Sequence, residues 1–317
     1  MSGRTPCCWM EAAVTPGRWL ILGLGIVGIA WSAPLIRLAD PAPVLAIAAL
    51  RLAIASPAMI GYASLNGVGD LREATRRDRV ALVLAAAALA VHFVLWVAAL
   101  QRTSVVTGVV LVTMQPIFVG LGAWIFLREP PTRAVVLGSA VALIGAALLA
   151  GDDIGDRGSL EGDVLALLGG LMASAYLVIG RRARRRLSTA SYGASVYTMT
   201  ALMLLTAVVV TRTSLIGLEA HSYFAIAAVA VVSQLVGHNA MNWALGFLPA
   251  AMVAIAILGE PVGATVIAAI VLDEVPTLLE TAGAAVVLIG VYLALRHAEP
   301  VIAPEAVPPD KTPVVAR

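Results

Sequence analysis

Only two side chains of fixed charge, Arg51 and Glu260, fall well inside the long apolar stretches of this sequence, and two histidines, His92 and His238, join them. An ionised group in hydrocarbon costs at least about 2.5–3.5 kcal/mol on insertion scales, so a chain that keeps one there is expected to use it. Glu260 stands immediately before Pro261, and Gln115 stands in the same way before Pro116. Proline removes a backbone donor and frees the carbonyl four residues back, here those of Ile257 and Val112. Each helix is therefore expected to kink beside a polar side chain. Such backbone is tolerated in a bilayer only against protein or a wet cavity.

Gln234, His238 and Asn242 recur at i, i+4 and i+8, which places them on one helix face. Asn239 and Trp243 flank this stripe, and Gly237 beside it would admit a neighbouring helix. His92 and Trp96 share the i, i+4 spacing, while Trp31 and Tyr176 are aromatic residues at mid-span depth that line a cavity or fill a core. The candidate solute-contacting set is thus Trp31, Arg51, His92, Trp96, Gln115, Tyr176, Gln234, His238, Asn242 and Glu260, with kinks at Pro116 and Pro261. Glu260 is the one carboxylate among them and the candidate for carrying a coupling proton. The competing reading is a kink that aids packing, with Glu260 neutral or paired to Arg51; glycine and amide residues likewise serve ordinary helix packing.

These groups suit binding and proton exchange, not bond chemistry. The sequence carries no His-Glu-x-x-His, no paired intramembrane Asp and no Gly-x-Ser-x-Gly, so neither a metal nor a nucleophile is expected, and no cofactor. Cys7 and Cys8 are adjacent, without metal spacing, and read as incidental.

The elements that must hold these residues are membrane helices. Hydrophobic residues make up 60% of the chain and charged residues 13%, against about 45–50% and about 25% in soluble domains. Ten apolar runs long enough to cross a hydrocarbon core are expected, at roughly 19–38, 42–64, 80–100, 104–127, 133–151, 160–181, 189–211, 222–245, 250–272 and 278–296. The first reads as a retained helix, not a cleaved signal peptide. Residues 1–18 form an N-terminal tail, and 298–317, rich in Pro and polar residues, a disordered one.

The runs are organised as one unit used twice. The offset that carries Pro116 onto Pro261 also carries Glu129, Pro131 and Thr132 onto Glu274, Pro276 and Thr277, and Gln115 onto Glu260. It carries Ala140-Val141-x-Leu143-Ile144-Gly145 onto Ala285-Val286-x-Leu288-Ile289-Gly290, and Trp31 onto Tyr176. Two five-helix repeats follow, 19–151 and 160–297, joined by a linker at 152–159. Glu129 and Glu274 close a span ahead of the next helix N-terminus, where a carboxylate is favourable, and read as structural. The fifth and tenth spans hold almost no polar residue, which suits a supporting position.

Charge sets the orientation. With the N-terminus in the cytoplasm, Arg4, Arg18, Arg72, Arg76, Arg77, Arg79, Arg128, Arg133, Arg181, Arg182, Arg184–Arg186, Arg296, Lys311 and Arg317 fall inside, and only Arg37, Arg102, Arg157 and Arg212 outside. Both termini are expected in the cytoplasm. Five spans per repeat then invert the second repeat relative to the first. Arg128 (inside) and Asp273 (outside) are repeat mates of opposite charge, and the linker, with Asp152, Asp153 and Asp156, falls outside. The run at Arg181–Arg186 reads as an orientation signal or an anionic-lipid contact, not a nucleic-acid site.

This arrangement resembles the EamA-type transporters of the drug/metabolite transporter superfamily. The features that carry the resemblance are Arg51 in the second span, Pro116 and then Glu-Pro-x-Thr closing the fourth, and Gly259-Glu260-Pro261 in the ninth. It covers roughly residues 19–297. It implies an all-α integral membrane protein with inverted repeats around a central cavity and alternating access, mostly exporting amino acids or related metabolites from the plasma membrane (the inner membrane of a Gram-negative cell). It also implies a small-molecule solute and membrane lipids as partners, in a monomer or homodimer. With one buried Arg, no Lys in any span and no acid in the first span, phosphate-bearing solutes and simple polycations are disfavoured; a zwitterion fits better. The alternatives are a non-transporting sensor or scaffold and, last, an intramembrane enzyme.

Overall fold

The computed structural model describes residues 16–103, 105–150, 160–271 and 277–295, apart from the side chains of 16, 106, 150 and 268. The cysteines, the acidic linker, Asp273, Glu274, Pro276 and the chain from 296 onward, including the C-terminal tail, lie outside the described residues, as do Arg4 and the rest of the N-terminal tail before 16.

Nine helices among the described residues are long and apolar enough to cross a membrane. In chain order they are α1 (Gly17–Leu38), α2 (Val44–Asn66), α3 (Arg76–Leu100), α4 (Thr107–Leu127), α6 (Leu160–Arg184), α7 (Thr189–Thr211), α8 (Ala220–Ala244), α9 (Ala250–Val271) and α10 (Leu278–Leu295). Where a fifth long span is expected the chain forms a shorter apolar helix, α5 (Arg133–Leu149). Large apolar side chains cover the perimeter: Phe224 is 78% exposed and Ile270 75%. A surface of that kind is stable in lipid and not in water, so the chain is a multi-pass membrane protein.

Local sequence sets where helices begin. Thr75 and Asp78 form a reciprocal capping box at the start of α3 (Asp78 N to Thr75 Oγ1, 3.2 Å; Thr75 N to Asp78 Oδ2, 2.9 Å). Thr277 and Glu280 do the same for α10. Thr132, the repeat mate of Thr277, accepts from Val135 N at 3.3 Å ahead of α5. The threonines of the duplicated motif are thus the caps. Glu129 caps no helix among the described residues and instead pairs with Arg181 at 3.2 Å and with Arg185.

The helices pack in pairs that the sequence repeat relates to one another. α1 packs on α8 and α6 on α3; α2 packs on its own mate α7, and α5 on its mate α10. The α5–α10 pair is antiparallel and very close, with small residues at the crossing, as membrane helices without a hydrophobic drive between them require. A Cβ on Gly138 would stand 2.6 Å from the Gly290 carbonyl, and one on Gly290 2.6 Å from that of Gly138. Gly145 and Gly283 repeat the relation one crossing further along, each facing the other's carbonyl at 2.8 Å. In α2–α7, Met59 near the end of one helix meets Gly193 near the start of the other, so that pair is antiparallel too. On the α1–α8 seam a Cβ on Gly237 would come within 2.8 Å of Ile29, the close approach its sequence position implies.

Candidate functional site

The two proline-bearing helices are interrupted at equivalent points. α4 is helical to Val112, turns at Thr113–Met114 and resumes at Gln115; α9 is helical to Ile257 and resumes at Gly259. Gln115 and Glu260 stand just past these breaks, both buried. A small cavity of about 30 Å³ opens between them, among α1, α3, α4, α6, α8 and α9.

Its walls come from both halves of the chain at matching positions. Ser32 and Leu177, Trp96 and Met241, Val112 and Ile257, and Gln115 and Glu260 are four pairs of repeat mates, and all eight residues line it. His92, Tyr176 and His238 complete the polar part of the wall. No residue of α2, α5, α7 or α10 among those described lines the cavity.

Of the sequence-derived candidates, His92, Trp96, Gln115, Tyr176, His238 and Glu260 therefore meet at one cavity, and Arg51, Gln234 and Asn242 lie buried around it. Trp31 does not line it. The residue sits in a one-residue turn between the helical segments Pro16–Ala30 and Ser32–Leu38 and packs among Ala33, Ile47 and neighbouring apolar residues, leaving Ser32 to face inward.

The surrounding groups form two hydrogen-bonded clusters. In the first, Arg51 Nε donates to Gln234 Oε1 at 2.9 Å and Nη1 to Ser32 Oγ at 3.4 Å, with the guanidinium carbon 4.1 Å from the centre of the Phe93 ring. A buried cation needs such compensation, and the ring face supplies part of it. Arg51 Nη2, Gln234 Nε2 and Gln115 Oε1 are nevertheless buried with no hydrogen-bond partner among the described residues. Buried polar atoms are rarely left so; Gln115 stands on the cavity wall, whereas Arg51 and Gln234 lie behind it, with Arg51 reaching the wall through Ser32. Glu260 has no ion-pair partner among the described residues, although Arg51 is near enough to act on it electrostatically.

In the second cluster Tyr176 Oη donates to Asn242 Oδ1 at 2.5 Å, and Asn242 Nδ2 donates to Tyr197 Oη at 3.2 Å. Tyr197 Oη then donates to the Gln234 carbonyl at 3.4 Å, tying α6, α7 and α8 together. His92 Nδ1 lies 2.9 Å from the Gly169 carbonyl, which can only accept, so Nδ1 carries the proton and a neutral ring offers its Nε2 lone pair. Phe93 and His238, themselves repeat mates, meet edge to face at 5.4 Å.

The polar stripe on α8 thus divides its labour. Residues Val229–His238 wind as a π-helix before the α-helical turn Asn239–Ala244. His238 faces the cavity, Gln234 turns to Arg51, and Asn242 bridges the tyrosines. Phe93, Tyr197 and Met241 also belong to the site, although neither charge nor spacing singles them out. The repeat offset applied to His238 and Trp96 leads to Phe93 and Met241; Tyr197 has no comparable signal. The arginine run on α6 is partly internal: Arg181 is fully buried, donates to the Leu245 carbonyl at 2.8 Å and pairs with Glu129, and Arg184 donates to the Asn242 carbonyl at 2.8 Å. Among the described residues no three His, Cys, Asp or Glu side chains cluster as a metal site would require.

Comparison with known proteins places this geometry. The family model described as the EamA-like transporter family matches residues 16–151 and again 160–296. No curated protein matches the sequence. A solved crystal structure, described only as that of a protein, superposes with a TM-score of 0.75 at 18% identity, over 90% of this chain and 98% of that one. At that identity the likeness concerns the fold.

Proposed function

The chain belongs to the EamA-like transporter family, and from that premise we propose that it carries a small zwitterionic solute, an amino acid or related metabolite, across the plasma membrane in the export direction. The observation that carries this reading is the cavity walled by four pairs of repeat mates, with Gln115 and Glu260 on its wall and, among the described residues, Gln115 Oε1 and the Nη2 of Arg51 behind the wall without a partner. A solute carboxylate would engage the guanidinium and its ammonium the Glu260 carboxylate.

At about 30 Å³ the cavity has room for a water molecule, far short of the roughly 300 Å³ at which ligand pockets begin. Solute entry therefore requires the helices to part, which is what alternating access supplies. The antiparallel packing of α5 on its mate α10 and of α2 on α7 supports two inverted repeats rocking about this point. Both termini are assigned to the cytoplasm by the arginine distribution, and Glu260 is assigned the coupling proton.

A counterflow screen over amino acids and their derivatives in reconstituted vesicles tests the reading. Saturable accumulation of a zwitterion is expected. If solutes bind but none accumulates, the chain is a sensor or scaffold and the proposal fails.

A further inference from the structure

A concavity of about 830 Å³ lies on the perimeter between α3, α4 and α6 and shares no residue with the central cavity. Its body is apolar, walled by Val80 and Leu84 of α3, Phe118 and Phe126 of α4, and Leu171 and Val178 of α6. Leu84 is 53% exposed and Phe126 71%, so the trough opens sideways to whatever surrounds the bundle.

One end is different. Arg76 and Arg77 from the first turn of α3 meet Arg182 from the last turn of α6 there. All three are exposed, and among the described residues none has an ion-pair or hydrogen-bond partner. The nearby acids are engaged elsewhere. Glu129 holds Arg181 and Arg185, and Asp78, whose field reaches Arg182, is bound to the Thr75 cap and to Arg186. The first turn of a helix already carries partial positive charge, and α3 adds arginines to it. The result is a cationic end, its three arginines in no ion pair among the described residues, on a long apolar trough at the face expected to meet the cytoplasmic leaflet.

The geometry points to a binding site for one anionic phospholipid, its phosphate on Arg76, Arg77 and Arg182 and an acyl chain along the trough between α3, α4 and α6. A soluble anion would use the arginines and leave the apolar wall bare. A zwitterionic lipid would bring its own cation against three others. The bound lipid fills the gap beside α4, the helix that carries Gln115 and Pro116.

The test is native mass spectrometry of the delipidated full-length protein titrated with phosphatidylglycerol, with phosphatidylcholine of the same chains, and with glycerol 3-phosphate. One phosphatidylglycerol should be retained in clear preference to phosphatidylcholine, and glycerol 3-phosphate should not displace it. A juxtamembrane arginine contributes about fivefold in affinity, so Arg76→Gln/Arg77→Gln/Arg182→Gln should weaken retention by about a hundredfold. Arg72→Gln/Arg79→Gln/Arg133→Gln, which removes equal charge outside the trough, should leave it unchanged. Leu84→Trp, which fills the trough with every arginine in place, should also weaken it, and this variant decides the matter if the triple arginine variant does not fold. Equal loss in the two triple variants would mean diffuse surface attraction and overturn the proposal. Competition by glycerol 3-phosphate would make this a soluble-anion site, and equal retention of phosphatidylcholine, or full retention by Leu84→Trp, would refute the lipid assignment as well.

Discussion

Replacing Arg51 with Met should abolish discrimination between a carboxylate-bearing solute and its carboxamide. Nε and Nη1 of Arg51 are taken up by Gln234 and Ser32, so the group free to meet a solute is Nη2. A hydrogen bond to a charged group contributes about 1.5–3 kcal/mol net, which is roughly 10–150-fold in affinity. The same substitution also strips Gln234 Oε1 of its donor, at about 1–3 kcal/mol, while relieving the desolvation of a buried cation. Those two effects oppose each other, so neither stability nor absolute affinity is a clean readout.

The ratio of the two affinities is clean, because packing and folding changes act on acid and amide alike. Calorimetric titration of the purified protein with an amino acid and with its amide, in wild type and Arg51→Met, gives the four constants needed. The acid-over-amide preference should fall by roughly 10–150-fold. Arg51→Lys keeps the charge but not the planar fork that spans Gln234 and Ser32, so an intermediate ratio is expected. A preference as large in Arg51→Met as in wild type would mean that the guanidinium braces helices and never meets the solute.

Four other outcomes follow from the same structure. Glu260→Gln should abolish flux driven by a pH gradient yet spare exchange between equal solute pools in vesicles; an undiminished response to the gradient would clear Glu260 of carrying the proton. His238→Leu should cut transport with abundance near wild type, because His238 faces the cavity, whereas Asn242→Leu should lower abundance as well, because Asn242 bridges two buried tyrosines. Glu129→Gln should cost about 3–5 kcal/mol by leaving buried Arg181 without its counter-charge, and adding Arg181→Met should restore much of the melting temperature; no restoration would break the argument. At Asp70 burial pushes the carboxyl up, but hydrogen bonds from Ser188 N (2.5 Å) and Ser191 Oγ, at the start of α7, outweigh it and hold the group below its ordinary value. Its stabilisation is thus present above the unfolded carboxyl's range and lost as pH falls through the lower folded one, so Asp70→Asn should melt below wild type at pH 7 and match it in strong acid.

What the sequence made legible was what lipid and duplication demand. Apolar runs must be long because the hydrocarbon core is thick, and the paired prolines at 116 and 261 mark the only places where the backbone breaks at mid-span in α4 and α9. What stayed hidden depends on winding and on distant partners. A spacing of about 3.6 residues per turn puts the α8 stripe on one face, but i→i+5 winding from Val229 to His238 re-aims its members. A one-residue turn at Trp31 exchanges Trp31 for Ser32 at the cavity wall. Arg181 resembles any other cytoplasmic arginine of its run because nothing local announces Glu129, far away in the chain, as its partner.

The repeat mates explain why the polar groups matter where they stand. Val196, Leu89, Val97 and Leu52 occupy the positions equivalent to Arg51, Gln234, Asn242 and Tyr197. A duplicated scaffold needs like residues at like positions for packing, as the glycines of α5 and α10 show. It has no such need for a guanidinium, two amides and a phenol at positions whose mates are four aliphatic side chains. Keeping those groups buried costs desolvation that their mates do not incur, and two of them leave a donor without a partner among the described residues. On the transport reading proposed above, the wall residues matched by the repeat would serve both open states alike, and the unmatched polar cluster buried around the cavity would give a zwitterion one preferred orientation.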